Sequence, residues 1–516
     1  MKKIFTLVVA LFIATFSNSY GQDSPLLTGA SFSNPILNDP FFDQVTYRGA
    51  FGTTNWAAGW TNFDPQTTAY PATTVTIAAG DITTNTTWTA NNVYLLNGWV
   101  YVKAGATLTI EPGTIIRGDK TNKGALIIEK GATINANGTA ANPIVFTSNQ
   151  AVNNRDYGDW GGIIILGNAV LNVAGGSATI EGGVGSTYGG TNDADNSGIF
   201  KYVRIEFPGI AFATNNEING LTMGGVGSAT QIDYVQVSYS GDDSFEFFGG
   251  KVNAKHLIAF RGWDDDFDTD FGYRGKIQFA VSLRDKEIAD VSGANSFESD
   301  NDGSGSTNTP VTNCIFSNFS LFGPLVNTTD VIHSNYKRAM HLRRNTKLNV
   351  FNSVFSGWPT GLFIDGTATQ ANATSNELKI ENCVLVGMIN FFASQFERNY
   401  FLNNTRNNDT MATTAMMMIP NYFNLTNPNF LPTVGVGITE GGLSNINIYN
   451  YENSIYVNLN NKVENIEAIL YNIMGQPILK TVLNNSSNTI NTTGLKGLYI
   501  INVRTSKGSV NKKLFL

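Results

Sequence analysis

The sequence is short of the residues that most often carry enzyme chemistry. It has 2 cysteines and 3 histidines in 516 residues. His256, His333 and His341 supply neither a zinc-like ligand set nor a Ser/His/Asp arrangement, and no glycine loop of the phosphate-binding type is present. Charged residues make up only 14% and lean acidic, for a net charge of −7. That balance argues against nucleic acid or an anionic membrane as partner. Long apolar runs are also missing. Ile4–Phe16 falls short of the ~20 residues needed to cross a bilayer, and nothing later comes closer, so an integral membrane protein is not expected.

The first residues have another use. Lys2 and Lys3 precede the apolar run, and Ser19-Tyr20-Gly21 puts small residues at −3 and −1, the layout of a secretory signal cleaved before Gln22. Cleavage removes both lysines and takes the formal charge from −7 to −9. The expected location is therefore the cell exterior, reached through the periplasm. Export permits a disulfide between Cys314 and Cys383, a point the strand register decides below.

What is abundant is apolar residues, at 42%, and glycine, with 52 residues. Val, Ile, Thr and Phe alternate between Gly and Asn turn signals, which is all-β texture with enough apolar material for a large core. The decisive pattern is a repeat. IDYVQVSYSGDDSFEFFGG from Ile232 matches AKHLIAFRGWDDDFDTDFG from Ala254 at an offset of 22. Asp242 falls on Asp264, Asp243 on Asp265, Phe245 on Phe267, Glu246 on Asp268 and Gly250 on Gly272. A short strand recurs as Tyr202-Val-Arg-Ile, Tyr234-Val-Gln-Val, His256-Leu-Ile-Ala and Gln278-Phe-Ala-Val. Asn313-Cys-Ile-Phe, Asn352-Ser-Val-Phe and Asn382-Cys-Val-Leu continue it.

A unit this short cannot bury its own apolar face. Stacked coils can, because each strand pairs in parallel with its copy ~4.8 Å above. The predicted fold is an all-β right-handed parallel β-helix; a sandwich or propeller with coincidental spacing is the alternative. The register predicts an asparagine ladder of Asn313, Asn352 and Asn382. It also sets Cys314 and Cys383 two rungs apart, ~9.6 Å by the same spacing, too far for a disulfide. Free, buried thiols are expected. Tyr47–Tyr70, with Trp56 and Trp60, reads as an N-terminal cap. Phe392, Phe396, Tyr400 and Met416–Ile419 read as capping elements at the other end.

These rungs resemble the pectin-lyase-like β-helix superfamily. FFDQVTYRGAFGTTNWAAGWTNFDP from Phe41, with GDWGGIIILGNA from Gly158, resembles exported members of that fold. From Ile446 the texture becomes compact alternation suited to a small β-sandwich of seven strands. Tyr471-Asn-Ile-Met-Gly475-Gln, Leu495-Lys-Gly-Leu-Tyr499 and the terminal Lys512-Lys-Leu-Phe-Leu516 resemble the type A sorting domain of the type IX secretion system, without its usual Pro-Asn-Pro opening. That resemblance implies the type IX secretion machinery as a partner, and release or attachment at the outer surface. The expected boundaries are 1–21 signal peptide, 22–80 N-terminal segment and cap, 81–432 β-helix, 433–445 linker and 446–516 sorting domain.

The candidate site is the acidic block Asp242, Asp243, Glu246, Asp264, Asp265 and Asp268, with Asp266 and Asp270 alongside. Coil stacking aligns these carboxylates within ~5 Å, so they must protonate, pair with cations or bind metal. Hard oxygen ligands point to Ca²⁺. Salt bridging by Arg261, Arg274 or Lys276, or a solvated acidic ladder, are the alternatives. The loop Glu298-Ser-Asp300-Asn-Asp302-Gly303-Ser-Gly305 has the composition of a Ca²⁺ loop without EF-hand spacing. Lys337, Arg338, His341, Arg343 and Arg344 form the densest basic cluster. Polysaccharide lyases of the resembled superfamily pair acidic Ca²⁺ ligands with a Lys or Arg base, but no lyase motif matches residue by residue. His256 reads as a turn residue. Three functions follow: an adhesion protein binding an extracellular glycan or surface, a polysaccharide lyase or glycoside hydrolase, or a structural surface-layer component.

Overall fold

The computed structural model describes residues 23–213, 216–434, 446–451, 453–459, 466–472, 476–505 and 508–516. The expected signal peptide, most of the expected linker and Gly475 lie outside these. Residues 24–433 form one unit, and residues 434–516 belong to another.

The larger unit is a parallel β-helix whose coils each lay strand on three faces. One coil shows the plan. Strand Asn253–Phe260 bends at His256, so residues 253–255 build one face and 257–260 the next, while Phe267–Asp270 builds the third. The repeat's register holds: Phe245 pairs with Phe267, Glu246 with Asp268, Val235 with Leu257 and Val237 with Ala259. Alternation does the sorting. Phe245, Phe267, Phe297, Met340 and Leu362 stack inward, and the residues after them face out. One continuous apolar core results.

The bend between the first two faces is a column of left-handed residues: Tyr202, Tyr234, His256, Phe279, Asn318, Asn352, Asn382 and Asn407 all have φ between 49° and 62°. Asparagine tolerates that region best. His256 is a turn residue as expected, its ring stacked on Tyr234 at 4.1 Å. Two register positions need correction. The column member is Phe279, not Gln278, and the first asparagine is Asn318, not Asn313. Asn313 instead accepts from the Asn349 amide at 2.8 Å, at the start of the neighbouring face. Both cysteines are free and buried, as expected, yet they do not share a column. Cys314 precedes Ile315, which pairs with Asn349, while Cys383 precedes Val384, which pairs with Val354.

The ladder itself is only partly built, because its amides turn outward to another segment. The Asn318 amide donates to Tyr47 O at 3.0 Å and Asn352 exchanges bonds with Ser31 N and O at 2.8 and 3.1 Å. Only Asn407 to Asn382, at 2.9 Å, follows the ladder pattern. The segment expected as an N-terminal cap is thus a strap lying lengthwise on this corner. It begins at the last coils, where Ser24 N–H donates to Thr433 O, doubles back once, and ends with Tyr70 on Glu206. Trp56 packs on His256 at 5.0 Å and Trp60 on Tyr234 at 5.9 Å. The aromatic half of the corner column, Tyr202 to Phe279, is a stacked stripe on the side of the coils, so the aromatic segment covers it, not the end. At the other end helix Gln395–Phe401 packs on the last strands, with Tyr400 and Phe401 buried, in keeping with a cap.

In the second unit, strands Ile446–Tyr451, Ser454–Leu459 and Ser487–Asn491 form one antiparallel sheet. Pro477–Leu483, Ile466–Asn472, Leu498–Thr505 and Gly508–Phe515 form another. Ile455, Val457, Leu470 and Ile501 close a separate core, so the seven-strand sandwich is present.

Candidate functional site

The acidic block lies on the outer surface of the third face. Register there runs Thr222, Glu246, Asp268, Glu298, His341, Phe363 in one outward column. Asp243 and Asp265 stand beside it, anchored by backbone: Asp265 N–H donates to Asp243 Oδ1 at 2.8 Å, and Asn295 N–H to Asp265 Oδ1 at 2.5 Å. The Oδ1 of each carboxylate is therefore used by the next coil, and Asp265 Oδ2 also faces the Asn295 side-chain amide at 3.4 Å.

All six predicted residues line a single open cleft of about 250 Å³, joined by Glu181, Asn219, Ser292, Gly293, Glu298 and Arg343. Eight carboxylates thus face one guanidinium. Three sets each place an oxygen from every member within 4.8 Å of the others: Asp242, Asp243 and Asp264; Asp243, Glu246 and Asp268; Asp265, Asp268 and Glu298. Burial and mutual repulsion push Asp243, Glu246, Asp265 and Asp268 well above the usual carboxylate range. Asp264 rises to about 6, by burial resisted by the Ser292 hydroxyl. Asp268 Oδ1 is buried and takes no hydrogen bond among the described residues. An unpartnered buried carboxylate oxygen amid like charges is the environment a hard cation relieves, and the all-oxygen donor set suits Ca²⁺.

Other acids leave the block. Asp266 turns into the core, where it forms a fully buried ion pair with Arg284 at 2.8 Å. Asp270 accepts from Phe271 N–H and stays outside the cleft. The salt-bridge alternative fails. Arg261 pairs with Asp285, Arg274 with Asp193 at 2.8 Å and Lys276 with Asp39. The expected Ca²⁺ loop dissolves too. Asp300 is taken by Arg343 and Arg344, each at 2.8 Å, and Asp302 caps its own turn through Ser304 and Ser306.

The basic cluster shares this face. Arg343 touches Glu298, and His341 Nδ1 lies 2.8 Å from the same carboxylate and its Nε2 3.6 Å from Asp365. Glu298 is therefore the hinge between acids and bases. In the sequence it falls in a separate loop, because an excursion at 285–294 breaks the period of 22 before the next strand. Glu181 and Asn219 come from other loops and carried no signal at all.

The chain belongs to the pectate-lyase-like β-helix family, whose domain model matches residues 80–421. A second model, the secretion system C-terminal sorting domain, matches residues 451–516, which marks the chain for export to the surface or secretion. No curated protein matches. Among solved structures, the enzymatically active domain of bacteriophage CBA120 tailspike protein 2 aligns at 9% identity over 82% of this chain and 72% of that one, with a TM-score of 0.23. Full-length tailspike protein 2 from Escherichia coli O157:H7 bacteriophage CAB120 aligns at 10% identity over 82% of this chain and 64% of that one, with a TM-score of 0.22. No helix among the described residues is long and apolar enough to cross a membrane.

Proposed function

We propose that this exported β-helix binds acidic polysaccharide at its third face, with Ca²⁺ held in the acidic cleft, and so serves adhesion to a glycan or a glycan-coated surface. The observation that carries this reading is the convergence of eight carboxylates from three successive coils and a loop on one open cleft, with Asp268 Oδ1 unpartnered among the described residues. Asp243, Glu246, Asp265, Asp268 and Glu298 would hold the ion, whose charge draws a uronate carboxylate to a surface otherwise repellent to it. Arg343 uses Nε on Asp300 and Nη2 on Glu298, so it orders the acids of the cleft and leaves recognition of the uronate to the ion.

A lyase reading is favoured by one further feature, the placement of His341 and Arg343 against Glu298 on the same face. Proton abstraction beside a uronate carboxylate needs a base within hydrogen-bond reach. Calorimetry of the full chain with Ca²⁺, then with polygalacturonate or alginate with and without EDTA, tests both. Ca²⁺-dependent retention without unsaturated uronate product supports adhesion. Product formation replaces it with the lyase. Absence of Ca²⁺ binding, or equal binding by Asp265→Asn/Asp268→Asn, rejects the site and leaves the structural surface-layer role.

A further inference from the structure

A second cleft opens on the same face near its first coils, and it is of opposite character. About 660 Å³ of space is lined by Trp99, Tyr101 and Phe212, by Asn97, Asn122 and Lys123, and by the glycines 80 and 98. Trp99 and Tyr101 lie in strand Val93–Val102, in outward positions of the third face. The column through Tyr101 continues as Ile127, Ile164, Thr222 and Glu246. Four steps of ~4.8 Å put the two clefts ~19 Å apart. Between them the hairpin carrying Ala178–Thr179 and Thr187–Tyr188 seals the face: Ile180, Val184 and Tyr188 cover Ile127, Ile164 and Leu166. The two clefts are separate sites.

The aromatic cleft is held open by its own packing. Phe212 is 41% exposed, yet it is not loose. Its ring sits so close to Gly183 that a Cβ there would come within 2.3 Å, and it lies 5.2 Å from the Trp99 ring. Lys123 is fixed by the carbonyls of Ala211 and Phe212, both at 3.0 Å, and lies over the Phe212 ring. Its charge is thereby satisfied within the protein. Tyr101 OH is fixed on Val184 O at 3.2 Å. Asn122 donates to Asn97 Oδ1 at 2.7 Å and to Asp119 at 3.1 Å. That leaves the Asn97 NH₂ and the Asn122 carbonyl without a protein partner among the described residues. No carboxylate lines the space.

Rigid aromatic faces bind flat apolar surfaces, and paired amide donors and acceptors bind hydroxyls. A pyranose ring presents both, with C–H groups on its face and hydroxyls at its edge. The spare amide groups are neutral and the one cation is already satisfied, so an uncharged sugar fits better than a uronate. We infer that the Trp99–Phe212 cleft is a metal-independent binding site for neutral pyranose chains, distinct from the acidic cleft. It does not rest on the Ca²⁺ reading.

The test titrates the full chain with cellohexaose, xylohexaose and mannohexaose, followed by calorimetry and tryptophan fluorescence. Binding of at least one is expected, unchanged in EDTA and in Asp265→Asn/Asp268→Asn. Phe212→Ala should weaken it about tenfold, the scale of one lost stacking partner. The exposed Phe212 makes that variant safe for the fold, and Trp99→Phe, which keeps a stacking face, should retain most of the affinity. Failure of all three sugars to bind overturns the site. So does binding that survives Phe212→Ala, or binding that EDTA abolishes.

Discussion

Asp243 and Asp265 occupy equivalent positions in successive coils, and the backbone N–H of Asp265 donates to the Asp243 carboxylate at 2.8 Å. Each coil thus grips the acid of the one before and at the same time adds a like charge beside it. Asp265→Asn keeps the acceptor oxygen and removes one charge. In EDTA its melting temperature should rise, by the equivalent of about 1–2 kcal/mol, because a buried repulsion is relieved. The stabilisation by added Ca²⁺ should shrink at the same time. Melts of the two proteins with and without Ca²⁺ decide this, and a lower metal-free melting temperature in the variant would falsify the repulsive stack.

The same charges set a pH dependence. Folding raises Asp264 to about 6 and Asp270 to about 7, and raises Asp243, Glu246, Asp265 and Asp268 further above the ordinary range. Between the unfolded and folded values the native state holds more protons than the unfolded chain, so stability falls as pH rises. The metal-free melting temperature should decline from about pH 5 to about pH 8. Saturating Ca²⁺ should flatten the decline, since binding favours the deprotonated ligands. A flat metal-free profile would show that the acids do not interact as described.

Arg343 and Arg344 are neighbours in sequence with unequal roles. Arg343 pairs with both Glu298 and Asp300, while the more exposed Arg344 meets only Asp300. Arg343→Ala leaves Glu298 without its arginine and Asp300 with Arg344 alone, and should cost about 2–3 kcal/mol. Arg344→Ala should stay within about 0.5 kcal/mol. Urea unfolding of both variants gives the comparison, and equal losses would contradict it.

The strap carries its own prediction. Trp60 is 1% exposed between the strap and the corner column. Trp60→Ala should cost about 3–5 kcal/mol and raise backbone hydrogen exchange along the strap. A cap confined to one end would protect only the first coils. The expected exchange change reaches the middle of the stack, at Tyr202, Tyr234 and His256.

Legibility in the sequence tracked regularity. The two coils around Asp242 and Asp264 have equal length, so a fixed offset aligned them correctly, and the carboxylate stack was readable from it. Glu298 belongs to the same column, but an excursion at 285–294 displaced it from the period. Asn313 and Asn318 show the finer limit. Both are asparagines near a strand start, and only Asn318 has the left-handed backbone that the corner demands. The aromatic segment reads as a cover in the sequence, but its placement depends on where the corner aromatics lie in three dimensions.

By itself the sequence determined the solenoid, the sorting sandwich and the alignment of acid on acid, because each follows from local alternation and a repeat that every coil obeys. Only the tertiary structure decided which carboxylates share a cleft. It turned Asp266 inward to Arg284, brought Glu181 in from a distant loop, and set Arg343 and His341 against Glu298. It likewise built the aromatic cleft from residues more than a hundred positions apart. Stacking is set by neighbouring coils, whereas a cleft is set by which loops and insertions cross the face, and that is a matter of long-range packing.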